Sequence, residues 1–206
     1  MKNLFRTLAC ALLAAAPQLC NAWGQCTPIV VDLGNNGIKL GPAGVGVYFD
    51  VDANGVRDHV QWVKLGGDEG FLALDRSGNG VIDDGAELFG VGTPLLLEGR
   101  NAPNGFVGLA QYDSRQLGGN DDGLITEADA IWPQLRIWLD ANADGLSTRD
   151  EMRSLKSTGL TALETIPKRR KYMDDAGNFI PYWAWAQQRS SPGRTLMVDV
   201  FFVVLP

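Results

Sequence analysis

One turn recurs along this chain: an Asp, then oxygen-bearing side chains at every second residue, then a Gly. Its fullest form reads Asp140-Ala141-Asn142-Ala143-Asp144-Gly145-Leu146-Ser147-Thr148-Arg149-Asp150-Glu151. The spacing constrains the backbone before anything else is known. Oxygens at positions 1, 3 and 5 converge only if the chain curls tightly, and Gly at position 6 turns sharply at little steric cost. Position 7 then offers a carbonyl, position 9 a side chain or water, and position 12 a carboxylate able to bind through both oxygens. A ring of oxygens alone suits Ca²⁺; Mg²⁺ demands rigid octahedral geometry and keeps its waters. Asp140, Asn142, Asp144 and Glu151 are the expected side-chain ligands, with the Leu146 carbonyl, and every specified position of D-x-[DN]-x-[DN]-G-x5-E is met. Ser147 holds position 8, where an aliphatic residue is usual, and Leu146 is expected to take its packing role. The alternative for each such loop is an Asx-rich turn that holds no ion.

Three earlier loops repeat the pattern less completely. The first has Asp50, Asp52, Asn54, Gly55 and Asp58, but Gln61 at position 12, one neutral oxygen in place of a carboxylate. The second has Asp75, Ser77, Asn79, Gly80 and Asp83, with the Val81 carbonyl; Ala86 stands at position 12, so closure needs Glu87, one residue later, to swing in. The third is broken. If Arg115 to Gly119 loop out, Asp113 returns to position 1, and Asn120, Asp122, Thr126 and Asp129 fall at 3, 5, 9 and 12. The spacing between loops is irregular, which excludes a solenoid of fixed period.

The flanks suggest what carries the loops. Val45, Val47 and Phe49 alternate into the first loop and Val60 and Trp62 out of it; Phe71 to Leu74 enters the second and Ala86 to Phe89 leaves it, a strand-loop-strand pattern. Ile131, Leu135 and Trp138 recur at helical spacing before the fourth loop, broken by Pro133. Ser147 or Thr148 would cap a helix after it, with Asp150 and Glu151 in its first turn and Gly159 beyond its end. Residues 179–186 and 195–205 alternate as a hairpin. The expected fold is α+β: antiparallel strands carrying the loops, plus a small EF-hand-like helix-loop-helix unit. In domain terms, a leader over 1–22 precedes one domain over 23–206, strand-rich over 27–100, helix-loop-helix over 104–159 and a hairpin within 160–206.

Composition bears on class and address. Of 206 residues, 24 are acidic and 18 basic, a formal charge of −6, which argues against nucleic acid as the main partner. Lys2 and Arg6 ahead of the apolar run Leu8 to Ala16 read as a secretory signal cleaved after Ala22, which places the mature chain in the periplasm or the medium, with no transmembrane segment. Its loss takes the charge from −6 to −8 and leaves Cys26 as the one cysteine, so no internal disulfide can form in the mature chain. His59, the single histidine, is expected to be structural or at the surface, and one His with one Cys makes zinc a poor fit. Asp83, Asp84 and Glu87 could be paired carboxylates of a glycosidase, but their place in a loop favours ligation. Trp183 and Trp185 share a strand face, where core packing is favoured over a sugar platform. Lys168-Arg169-Arg170-Lys171 reads as a solvated turn.

The segments "GFLALDRSGNGVIDDGAELFG", "NGFVGLAQYD", "GGNDDGLITEADAIWPQLRIWLDANADGLSTRDEMRSL" and "DVFFV", in this order, resemble the calcium-binding module of bacterial secreted proteins. That group includes the self-processing modules of RTX-type exoproteins. The resemblance runs from Thr27 to Val203 and implies calcium binding through the Asp/Asn loops. In a neisserial member it also implies calcium-triggered cleavage at an Asp-Pro bond. No proline here follows an Asp, and the glycine-rich nonapeptide arrays of RTX proteins are missing, so that cleavage is not carried over. The function expected is an exported calcium-binding protein without catalytic residues, its fold stabilised by Ca²⁺. The alternatives are a calcium-dependent hydrolase or self-processing protein, and a calcium-ordered surface that docks a cell-surface or extracellular protein or a polysaccharide.

Overall fold

The computed structural model describes residues 27–190 and 193–206. The expected leader and Cys26 lie outside the described residues. In chain order the elements are β1 (Ile29–Asp32), β2 (Gly46–Phe49), β3 (Asp58–Gln61), β4 (Glu69–Leu74), β5 (Pro94–Leu95), β6 (Arg100–Asn101), α1 (Gly105–Ala110), β7 (Leu124–Ile125), β8 (Leu135–Trp138), β9 (Met152–Ser154), β10 (Leu160–Glu164), β11 (Lys168–Arg169), β12 (Phe179–Gln188) and β13 (Arg194–Phe201).

The main sheet has the order β7-β10-β12-β13-β1-β4-β8-β9, with β11 added on β12, and every pairing in it is antiparallel. It curls into a half-barrel. The central strands are covered on both faces, which is why Ile29-Val30-Val31 and Phe71-Leu72-Ala73-Leu74 are apolar without a break. Ile29, Val31, Leu72, Leu135, Ile137 and Met197 pack on one side with Phe106 and Leu109 of α1. Val30, Phe71, Trp138 and Val198 pack on the other against the β2–β3 hairpin, through Phe49, Val60 and the adjoining Trp62. Trp62 sits at the centre of an aromatic cluster, 4.5 Å from Phe71, 5.3 Å from Phe49, 5.6 Å from Phe202 and 5.7 Å from Trp138 between ring centroids.

The helix-loop-helix expectation is overturned. The molecule is mostly β, and α1 is its one α-helix among the described residues, six residues long. The stripe Ile131, Leu135, Trp138 is not a helix. Pro133 lies in a single 3-10 turn over Trp132–Gln134, and Leu135–Trp138 continues as β8, paired with β4 on one side and β9 on the other. Leu135 and Ile137 fit a two-residue period, Leu135 and Trp138 a helical one, and pairing on both edges decides between them. After the fourth loop, Thr148 and Glu151 do form a capping box, but it closes one 3-10 turn, Arg149–Glu151, that runs straight into β9. The antiparallel strands of the α+β expectation are present; its EF-hand-like helical unit is not.

Candidate metal sites

Each expected loop adopts the same turn, built around the carboxylate at position 1. In the fourth loop the Asp140 Oδ1 accepts the Asp144 N–H at 3.3 Å and its Oδ2 the Gly145 N–H at 2.9 Å. In the first, Asp50 accepts from Asn54 N–H at 3.0 Å and Gly55 N–H at 2.7 Å. In the second, Asp75 accepts from Gly78 and Gly80, at 2.7 and 2.8 Å. In the third, Asp113 accepts from Asp122 at 3.2 Å and Gly123 at 2.8 Å, although Asp122 lies nine positions on from Asp113. The insertion is taken up by a 3-10 turn over Arg115–Leu117 that ends on Gly118 in the left-handed region. A Cβ on Gly119 would overlap the Asp113 backbone, so the return needs Gly there.

The backbone repeats with the side chains. Position 4 is left-handed in all four loops: Ala53 (φ 58°), Gly78 (75°), Asp121 (61°) and Ala143 (51°). Among the described residues one further non-glycine residue has positive φ, Asn35, at 54°. A left-handed Ala costs roughly 1–2 kcal/mol, so two alanines held this way mark a turn that its surroundings enforce.

The closing carboxylates differ. Glu151 Oε2 accepts from both the backbone and hydroxyl of Thr148 at position 9, each at 3.0 Å. Glu87, one residue late, spans the second loop: Oε1 takes Ser77 N–H and Oε2 takes Asp83 N–H, both at 2.9 Å. Asp129 Oδ2 takes Thr126 N–H at 2.6 Å, while its Oδ1, in a residue 2% exposed, has no protein partner. Gln61 turns away from the first loop: its Oε1 accepts from Asn178 at 2.7 Å and its Nε2 donates to the Ala176 carbonyl at 3.2 Å. A carboxylate from the neighbouring loop stands near instead. Gly85 N–H donates to the Asp50 carbonyl at 2.7 Å, and Asp84 lies close enough for Asp50 to raise its carboxyl, after the larger effect of burial.

Crowding of like charge is visible in the proton affinities. The Asp52 carboxyl is pushed up to about 6, first by burial, then by Asp58 and Asp50. Asp140 is raised by burial, opposed by donors from Trp62, Gly145 and Asp144, with Glu151 adding repulsion. The ion pairs Arg100–Glu98 and Arg115–Asp121 use none of the candidate ligands. Among the described residues no three His, Cys, Asp or Glu side chains form a ready-made metal cluster. The donor sets fit a hard cation differently, as carboxylates mixed with Asn, Ser, Thr and carbonyl oxygens, and the orphaned Asp129 Oδ1 is a buried acceptor that an ion would satisfy.

The loops also touch. Ile82 N–H, at position 8 of the second loop, donates to Ser147 Oγ, at position 8 of the fourth, at 3.0 Å. Leu146 is 52% exposed and does not take the packing role expected of it; Ser147 instead ties one loop to the other. Trp62 Nε1 donates to Asp140 Oδ2 at 2.6 Å, linking the aromatic core to the fourth loop. No local motif marks Trp62 as a site residue or ties Asp84 to the first loop, because each reaches its loop's neighbourhood from elsewhere in the chain. A fifth turn of the same form, Asp32 to Ile38, was also missed: Asp32 accepts from Asn36 N–H at 3.1 Å and Gly37 N–H at 2.7 Å, with Asn35 at position 4. Asn36-Gly37-Ile38 repeats the Asn-Gly-aliphatic step of Asn54-Gly55-Val56 and Asn79-Gly80-Val81, a signal that could have found it.

Elsewhere, His59 stacks on Tyr48 at 4.6 Å and its Nδ1 meets the Pro206 carbonyl at 3.2 Å. The basic run is not a turn: Lys168 and Arg169 form β11, paired with Trp183 and Tyr182 of β12. Their cations lie over those same rings, Lys168 at 4.9 Å from Trp183 and Arg169 at 5.5 Å from Tyr182, while Arg194 lies 4.3 Å from Trp185. Trp183 and Trp185 are half-buried rather than enclosed in the core.

A curled antiparallel sheet bearing acidic turns is the architecture of a loop-bearing β module. By its match to the SPM domain over residues 29–203, the chain belongs to that family. It is also similar to the iron-regulated protein FrpA of Neisseria meningitidis serogroup C, 40% identical over 143 residues. That stretch covers 68% of this chain and 12% of FrpA, so the chain matches a small part of its relative. No helix among the described residues is long and apolar enough to cross a membrane.

Proposed function

We propose that this protein is an exported calcium-binding module, in which Ca²⁺ held by the Asp/Asn loops stabilises the sheet they hang from. The observation that carries the reading is one turn built four times: amides pin both oxygens of the first Asp, position 4 is left-handed, and three of the four loops return a carboxylate to the mouth. Turns whose only role is to reverse the chain have no need of an acid at position 1 together with a second at or beside position 12, as the second, third and fourth loops have. Bound there, Ca²⁺ supplies positive charge that offsets carboxylate repulsion. The chain's own residues do the rest: backbone amides orient the position-1 carboxylates, and Ser147 and Trp62 tie the fourth loop to the second loop and to the core. Because ions bind the folded state, their binding energy adds to stability.

The test is thermal melting of the protein in chelator and across a calcium titration, followed by tryptophan fluorescence. A rise in Tm with calcium concentration that Mg²⁺ does not reproduce supports the reading, as does loss of one bound ion and a lower Tm in Asp140→Ala. Equal melting with and without calcium overturns it.

A second reading has its own observation. Lys168 and Arg194, laid over Trp183 and Trp185, form a basic, aromatic face on an acidic protein. Such a face suits an anionic polysaccharide through charge and stacking. Retention on dextran sulfate but not on neutral dextran, lost in Arg194→Ala, supports it; equal retention on both contradicts it.

A further inference from the structure

We propose that the turn at Asp32–Ile38 is a fifth cation site, completed by Asp68 and Glu69 from the start of β4, and that it takes a hard divalent cation of calcium size. This rests on the calcium reading of the four sequence-contiguous loops and goes beyond it, because two of its carboxylates come from another part of the chain.

Position 3 of this turn is Gly34, which has no side chain to offer. Its place is filled from outside: a Cβ on Gly34 would overlap the Asp68 carboxylate. Asn36, at position 5, donates Nδ2 to Asp68 Oδ2 at 2.5 Å, as Asn54 at position 5 of the first loop donates Nδ2 to Asp52 Oδ2 at 3.1 Å. Asp68 thus stands where Asp52 stands.

Position 12 would be Ala43, again with no ligand. Glu69 takes that role by sheet register, since β1 and β4 pair Asp32 with Glu69. Its Oε1 accepts the Lys39 N–H at 2.6 Å, fastening the carboxylate to the outgoing arm of the turn, as Asp129 and Glu151 fasten to theirs. The second observation is independent of the turn. Glu69 is 2% exposed, and its Oε2 has no hydrogen-bond partner. A buried carboxylate oxygen left without a donor is costly and calls for a ligand. No ion pair among the described residues supplies one to Asp32, Asp68 or Glu69. The donor set is oxygen throughout: three carboxylates, the Asn36 amide and the Ile38 carbonyl. That combination selects calcium over transition metals.

Native mass spectrometry of the purified protein in calcium counts the ions directly. Asp68→Asn, an isosteric change at a half-buried position, and Glu69→Gln are each expected to carry one ion fewer than the parent. Asp68→Asn combined with Asp140→Asn should lose two, because the sites are separate. If Asp68→Asn keeps the parent's ion count while Asp140→Asn loses one, the fifth site is overturned and the four-loop reading stands. If the parent itself binds no calcium, both fall. Should Glu69→Gln fail to fold, as circular dichroism would show, the Asp68→Asn count alone decides.

Discussion

Two buried side chains show how single residues set the behaviour of this protein. Trp62 donates to Asp140 from inside the aromatic cluster. Trp62→Phe keeps most of the ring packing and removes the donor, so it should cost about 1.5–3 kcal/mol, the range for a hydrogen bond to a charged group, as read by urea unfolding. It should also lower the calcium affinity of the fourth loop more than that of the third. Asp199, fully buried on β13, has its carboxyl raised from 3.8 to about 7 by burial, against the lowering effect of the Gly105 N–H. Between those values the folded chain keeps a proton that the unfolded chain has released. Stability from this group is therefore greatest at the acid end, falls as pH rises from about 4 to about 7, and is at its lowest above. Asp199→Asn removes the dependence: its Tm should exceed the parent's at pH 8 and approach it at pH 5. An equal offset at both pH values would refute this.

At the scale of elements, the loops were legible because their chemistry is local. An Asp, alternating oxygens and a Gly at position 6 specify a turn whatever flanks it, and even the broken third loop could be reassembled by looping out five residues. The elements between loops were less legible. Leu135-Arg136-Ile137-Trp138 satisfies helical and strand periods alike over four residues, and only its partners, Phe71 to Leu74 on one edge and Met152 to Ser154 on the other, make it a strand. Ile137→Ala, in the middle of β8, should cost about 2–5 kcal/mol in denaturant, as expected for an enclosed strand residue. The third loop depends on Gly119 in a different way: Gly119→Ala forces Asp113 out of line, so it should remove one bound ion while leaving the fourth loop's ion in place, by the same mass-spectrometric count. The turn at Asp32 escaped motif reading because Asp68 and Glu69 reach it through strand pairing, and sequence distance hides what register brings together.

Across the whole molecule, β1 and β13 form the middle of the sheet. Calcium should act on that assembly as a single unit, since the second loop touches both the first and the fourth and the fourth touches the core. At free calcium a hundred times the dissociation constant, each site should add about 2.7 kcal/mol to unfolding, so Tm should climb steadily with the logarithm of calcium concentration. A Tm that plateaus while ions are still binding would mean that those loops fold and unfold independently of the sheet. The central pair has a mechanical consequence as well. Ile29 lies opposite Asp199, and the ladder runs from there to Val31 opposite Met197, so the chain enters β1 and leaves β13 at the same end of the ladder. A pull on both ends meets these hydrogen bonds one after another, as in a zipper, rather than all together in shear. Pulled at Ile29 and Phe201, the sheet should open at low force from its very middle, β1 parting from β13 one hydrogen bond at a time.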